Sequence, residues 1–203
     1  MDRNGPRVAC ISGTAIGAYL DDVARLRIAV FREYPYLYDG DADYEARYLQ
    51  TYLRSPDSVF VLAFDGGRVI GASTGLPLAD EEADFQRPFV ERGIEVGDVF
   101  YCTESVLLPD YRGRGIGHRF FDEREAHARR LQRLRWTAFA AVDRAADDPR
   151  RPPNARSNDA FWTARGYRRQ PGMTMQLAWK ELDEAHESEK PLTFWLRPLE
   201  NDA

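Results

Sequence analysis

The run Glu104-Ser-Val-Leu-Leu-Pro-Asp-Tyr-Arg-Gly-Arg-Gly-Ile-Gly117 constrains this chain more than any other segment. It reads as the end of an apolar strand, a Pro-Asp-Tyr turn, a glycine-rich loop and the start of a helix. Glycines stand at 113, 115 and 117. Lacking Cβ atoms, they let backbone N–H groups point into one concavity. The helix that opens there adds unpaired N–H groups and the positive end of its dipole. Such a site suits a phosphate, and Arg112 and Arg114 place charge at its rim. The next strand pattern, Trp136 to Val142, completes a strand-helix-strand unit, which requires two neighbouring parallel strands.

The rest of the chain supplies a frame for that unit. Val8–Ser12 reads as a first strand, and helical spacing follows at Leu20, Val23, Ala24, Ile28 and Phe31. Tyr44, Tyr48 and Tyr52 recur every four residues, a second helix with Asp43 as its expected N-cap. Asp65-Gly66-Gly67 joins two apolar runs, 59–64 and 69–76, into a hairpin. Residues 79–97 read as a connecting insert whose acids, Asp80, Glu81, Glu82 and Asp84, form a solvated helix start and whose Phe85, Phe89 and Val90 dock one side. Residues 99–108 read as one long strand. Asp159–Arg165 reads as a short helix stopped by Gly166, and Met173–Trp179 as a strand. An acidic helical patch then leads to an apolar stretch, Leu192–Leu196, which adds an edge strand or covers a dimer interface. A domain over 1–180 with a C-terminal extension over 181–203 is the expected organisation. The expected fold class is α/β: a central mixed, mostly antiparallel sheet with helices on both faces.

The loop does not match the commoner phosphate patterns. The P-loop lysine is missing, and His118 stands where G-x-G-x-x-G needs its last glycine. What remains is R-x-x-G-x-G at Arg112, Gly115 and Gly117, directly after a strand ending Val-Leu-Leu-Pro. This closely resembles the acetyl-CoA motif of the Gcn5-related N-acetyltransferases (GNAT). Ala160-Phe-Trp-Thr-Ala-Arg-Gly-Tyr167 is similar to that family's late helix. The likeness covers about residues 8–180 and leaves out the insert and the tail.

The resemblance implies acetyl-CoA as donor and a splay between the fourth and fifth strands, 99–108 and 136–142. It implies that Arg112, Gly113, Arg114, Gly115, Ile116, Gly117 and His118 hold the pyrophosphate, largely through backbone amides. Val106, Leu107 and Leu108 would pair with the pantetheine arm as an added strand does, and Asn158 and Phe161 would flank it. Arg150, Arg151 and Arg156 either reach the 3′-phosphate or stay solvated.

Acetyl transfer needs a neutral amine, yet a free alkyl amine has a pKa of about 10, so a base must take its proton. Glu104 is the general-base candidate. It lies in an otherwise apolar strand, a setting associated with catalytic carboxylates. The backbone N–H of Leu107, at an expected bulge, is the oxyanion candidate. The family's usual acid, a tyrosine of the late helix, is Trp162 here, and an indole cannot protonate a thiolate. Water or a tyrosine of the 34–38 segment stands in. By resemblance, the loop between the two early helices borders the acceptor. Its Glu33, Tyr34, Tyr36 and Tyr38 suit a cation, through carboxylate pairing and ring faces.

Composition narrows the classes left. Net charge is −5, against a generic nucleic-acid surface. The apolar runs are too short to cross a bilayer, and a cytoplasmic location is expected. Cys10 and Cys102 read as buried, inert thiols, and the three histidines lack metal-ligand spacing, so no metal is expected. The expectation is therefore an acetyl-CoA-dependent N-acetyltransferase acting on a small cationic amine. A protein or peptide amine is the alternative acceptor. A non-catalytic acyl-CoA-binding module and a nucleotide-binding regulator are the alternative classes, and a homodimer is an open partner assignment.

Overall fold

A computed structural model describes residues 5–199. The strands are β1 (Arg7–Ser12), β2 (Val59–Asp65), β3 (Arg68–Pro77), β4 (Val99–Tyr101), β5 (Ser105–Leu107), β6 (Trp136–Val142), β7 (Arg168–Trp179) and β8 (Ser188–Pro198). The helices are α1 (Leu20–Phe31), α2 (Ala42–Tyr48), α3 (Gln50–Arg54), α4 (Ala83–Val90), α5 (Ile116–Arg130) and α6 (Asp159–Ala164). One eight-stranded sheet runs in the order β1-β2-β3-β4-β6-β8-β7, with β5 also pairing to β3. Only β4 and β6 run parallel among these neighbours, as the strand-helix-strand unit requires.

Helices cover both faces. On one face, Val23 and Leu26 of α1, Leu49 and Tyr52 pack on Phe60, Leu62, Ala72 and Leu76. On the other, Phe120 and Phe121 of α5 pack on Val61, Ile70 and Phe100. Phe85 and Phe89 of α4 pack on Tyr101, Ala138 and Phe194. Leu76 and Tyr101 are direct cross-strand partners, so α4 lies on the same face as α1–α3. β3 carries the buried polar side chains Ser73 and Thr74.

Several expectations need correction. The strand expected over 99–108 is broken: pairing passes from Leu76↔Tyr101 to Ser73↔Ser105, three residues on β3 against four on the facing strand. One extra residue is a bulge, and it leaves no mark on an apolar pattern. The second helix is interrupted at Leu49, and its N-cap is Asp41, whose side chain accepts from the Tyr44 amide, not Asp43. Residues 181–187 form turns and a bridge rather than a helix. Leu192–Leu196 is in β8, an interior strand flanked by β6 and β7 rather than an edge strand. Val90, expected to dock with Phe85 and Phe89, is 63% exposed, and Cys10, expected to be buried like Cys102, is exposed.

Candidate active site

The glycine loop is built as its sequence dictates. Gly113 and Gly115 have φ of +74° and +79°, the left-handed region that side chains resist. Gly115 caps α5, and the first amide of the helix to bond back is Arg119, onto the Gly115 carbonyl at 3.3 Å. The amides of Ile116, Gly117 and His118 thus have no partner within the helix. No acid sits in the first turn of α5, and a Cβ at Gly113, Gly115 or Gly117 would meet nothing within 4 Å. The concavity is open, electropositive and fit for a pyrophosphate.

Beside it the sheet parts. β4 pairs with β6 as far as the bond from the Cys102 amide to the Ala138 carbonyl, 2.7 Å. Beyond the bulge, β5 holds only to β3. Leu108 donates to the Ile70 carbonyl. Alternate residues of an antiparallel strand point their polar groups to opposite sides. The Leu107 amide and carbonyl therefore face the gap between β5 and β6. The carbonyl accepts from Arg112 Nε at 3.1 Å, as that orientation requires. Gly71 makes the approach possible, since a Cβ there would lie 2.6 Å from the Leu107 side chain.

On the α1–α4 face of this gap lies a buried ionic cluster. Glu104 is 5% exposed. Its Oε1 accepts from Thr74 Oγ1 at 2.7 Å, and its Oε2 is bound by Arg27, which also binds Glu45. Burial works against the Arg27 charge, but Glu104 and Glu45 outweigh it and hold its pKa well above the ordinary range. Burial raises the Glu45 pKa, with Arg27 opposing. One cation thus faces two carboxylates. Glu45 Oε1 and the Thr103 hydroxyl are buried without a partner in hydrogen-bonding geometry. Such atoms call for a water or a ligand. Tyr52 donates to or accepts from Thr74 at 2.8 Å, and Arg27 lies over the Tyr48 ring, 4.6 Å from its centroid.

The structure redistributes the other expected residues. Glu33 pairs with Arg112 at 2.8 Å, so it borders the glycine loop rather than the ionic cluster. Tyr36 packs between Phe31 and Trp179, and burial pushes its pKa up to about 12. Tyr38 is buried and accepts from the Asp41 amide. Tyr34 is half-buried, with no side-chain hydrogen bond among the described residues. The 33–41 loop is fastened to the end of β7 and to the segment that follows β6. Arg144 donates to the Pro35 and Tyr36 carbonyls and to Glu181, Trp179 donates to the Tyr36 carbonyl, and Lys180 pairs with Asp39. Arg150 is paired with Asp148 and Glu181. Phe161 meets the His118 ring edge-on, 4.9 Å between centroids, so α6 does touch the start of α5. Asn158 is exposed and makes no side-chain cap. Trp162 packs on Phe139 and Trp195, a core role.

Sequence reasoning missed Arg27, Glu45 and Glu81. The first two stand on apolar helical stripes, Arg27 with Val23 and Val30, Glu45 with Leu49 and Tyr52, and a charge on such a stripe is a usable signal. Glu81 was expected on a solvated helix start. It lies before α4 and is 6% exposed.

A family model described as the Acetyltransferase (GNAT) family matches residues 23–148. No curated protein matches the sequence. Among solved structures, the chain is similar to the ribosomal-protein-alanine N-acetyltransferase of Brucella melitensis, with 14% identity, 94% and 99% of the two chains covered, and a TM-score of 0.60. It is similar to an N-acetyltransferase from Staphylococcus aureus Mu50, with 12% identity, 97% and 99% covered, and a TM-score of 0.60. It is also similar to the yncA structure from Salmonella typhimurium, which contains acetyl-CoA, with 12% identity, 97% and 96% covered, and a TM-score of 0.58.

Proposed function

We propose that this chain, which belongs to the acetyltransferase (GNAT) family, transfers acetyl from acetyl-CoA to a small amine that arrives as a cation. The observation that carries the reading is the glycine cradle of Arg112–Gly117 set beside the gap where β5 leaves β6. The free amides of Ile116, Gly117 and His118 suit the pyrophosphate, with Gly113, Arg114 and Gly115 shaping the loop. The backbone of Val106, Leu107 and Leu108 suits the pantetheine arm, and Phe161 closes one side. The Leu107 amide is aimed into the gap and suits the developing oxyanion.

The acceptor side is read from charge. Arg27 offsets only one of the Glu45 and Glu104 carboxylates, so the cluster keeps a negative excess. Buried, that excess attracts a cation and repels an anion. Glu104 acts here as an anchor for Arg27 and Thr74, since both of its oxygens are taken. The loop fastened across to β7 narrows the approach, which favours a slender amine over a folded polypeptide.

Thiol release from acetyl-CoA, measured across polyamines, aminoglycosides, amino acids and peptides, tests the proposal. Turnover should concentrate in small di- or polycationic amines. Turnover confined to peptides would move the acceptor to a protein amine. No turnover with any amine, with CoA still bound, would leave only a binding module.

A further inference from the structure

Glu81 directly follows the short 3-10 turn Leu78–Asp80 between β3 and α4, and its backbone is fixed on both sides. Its amide donates to the Leu78 carbonyl at 3.1 Å, and its carbonyl accepts from the Gln86 side chain at 2.7 Å. With Thr51, Arg54, Ser55, Asp80 and Glu82, Glu81 lines a cavity of about 290 Å³, and Glu81 and Ser55 are the buried residues of that lining. Asp80 is engaged by the Ser55 hydroxyl at 2.6 Å. Glu81 is not engaged in that way. Oε2 takes only the Glu82 amide, at 3.3 Å, and among the described residues no side chain donates to the carboxylate and no cation pairs with it. A carboxylate this buried, with so little satisfying it, is costly to keep unless it has a task.

Inward of the cavity, Tyr52, next in sequence to the lining residue Thr51, shares a hydrogen bond with Thr74 at 2.8 Å, and Thr74 donates to Glu104 at 2.7 Å. The cavity therefore lies beside the hydrogen-bonded cluster on the sheet.

We infer that Glu81, not Glu104, is the general base of the acetyl transfer, taking the proton of the acceptor ammonium and releasing it through this cavity. The inference rests on the acetyl-transfer reading given above. The ammonium gives one proton to the Glu81 carboxylate and keeps the electron pair on nitrogen. That pair forms the C–N bond to the thioester carbonyl carbon, and the C–S bond breaks with its pair going to sulfur. The second proton lost by nitrogen ends on the thiol, and the first leaves Glu81 for water. The products are amide, thiol and one released proton.

The surroundings tune the group for this work. Burial raises its pKa from 4.5 to about 7, the Glu82 amide opposes, Glu104 and Glu82 add to the rise, and Arg27 opposes again. Arg54 of α3 faces the same cavity from the solvent side. A base near neutrality is the effective one for an amine at physiological pH.

The test uses the full chain and the fastest amine from the panel. The native protein should show kcat/KM falling below an apparent pKa of about 7 as the pH is lowered. Glu81→Gln should cut kcat by roughly 100-fold or more, abolish that acid limb and leave the KM for acetyl-CoA unchanged. Glu81→Asp keeps a carboxylate and should keep the limb at reduced rate. A ¹³C-carboxyl spectrum of glutamate-labelled native protein gives a second readout: one resonance titrating near neutrality, absent in Glu81→Gln. A folded Glu81→Gln that retains rate within about threefold and keeps the limb overturns the inference. So does the lack of any glutamate titrating near neutrality. Failure of the native protein to acetylate any amine sinks the underlying reading instead, and this one with it.

Discussion

Arg27 occupies the buried stripe of α1, where the helix pattern alone asks for an aliphatic side chain. It is held there by Glu45 and Glu104, and neither carboxylate has another cation among the described residues. Arg27→Met would leave both carboxylates buried and uncompensated. Urea unfolding should show a loss of about 3–5 kcal/mol, and an unchanged midpoint would mean the pair is not buried as described. Gly115 is the second residue whose identity the backbone dictates, at φ +79°. Gly115→Ala strains the loop by roughly 1–2 kcal/mol and places a methyl group in the cradle. The KM for acetyl-CoA should rise about tenfold with the acceptor KM held, since only donor binding is weakened. At this scale the sequence was readable for glycines, because their requirement is local. It was less readable for Glu104. An acid in an apolar strand says buried, and only the fold supplies Arg27 and Thr74 as the groups that claim its oxygens.

The element that makes the site is the bulge between β4 and β5. It ends pairing with β6 and turns the Leu107 backbone toward the gap. Apolar spacing predicted a strand over 99–108 and could not reveal the break, because a one-residue insertion keeps both halves apolar. The fastened 33–41 loop was also hidden. Its partners Arg144, Trp179 and Lys180 lie more than a hundred residues away in sequence, and no local pattern joins them. Arg144→Ala should release the Pro35 and Tyr36 carbonyls and cost on the order of 1–3 kcal/mol in thermal or urea unfolding. In steady-state kinetics it should raise the acceptor KM while the KM for acetyl-CoA stays fixed. A change confined to acetyl-CoA would show that the loop guards the donor instead.

For the whole molecule, the order of elements up to Val142 and the parallel pairing around α5 were legible, because strand-helix-strand geometry admits few solutions. The place of the last strand was not. Insertion of β8 between β6 and β7 is decided by which edges remain free once the rest has formed. Global stability should also carry the signature of Glu81. Its pKa is raised in the folded protein from 4.5 to about 7, so its contribution is complete below 4.5 and lost as pH rises through about 7. Glu81→Gln should therefore gain on the native protein between those limits, by up to about 3 kcal/mol in urea unfolding. A pH-independent difference would place Glu81 in water. The account stands or falls most directly on mass-spectrometric detection of acetylated amine formed from acetyl-CoA by the purified chain. Amine-dependent product from a small cationic acceptor, strongly reduced by Gly115→Ala at low acetyl-CoA, is the predicted result. Acetyl-CoA that binds and is never consumed, whatever amine is supplied, would contradict it.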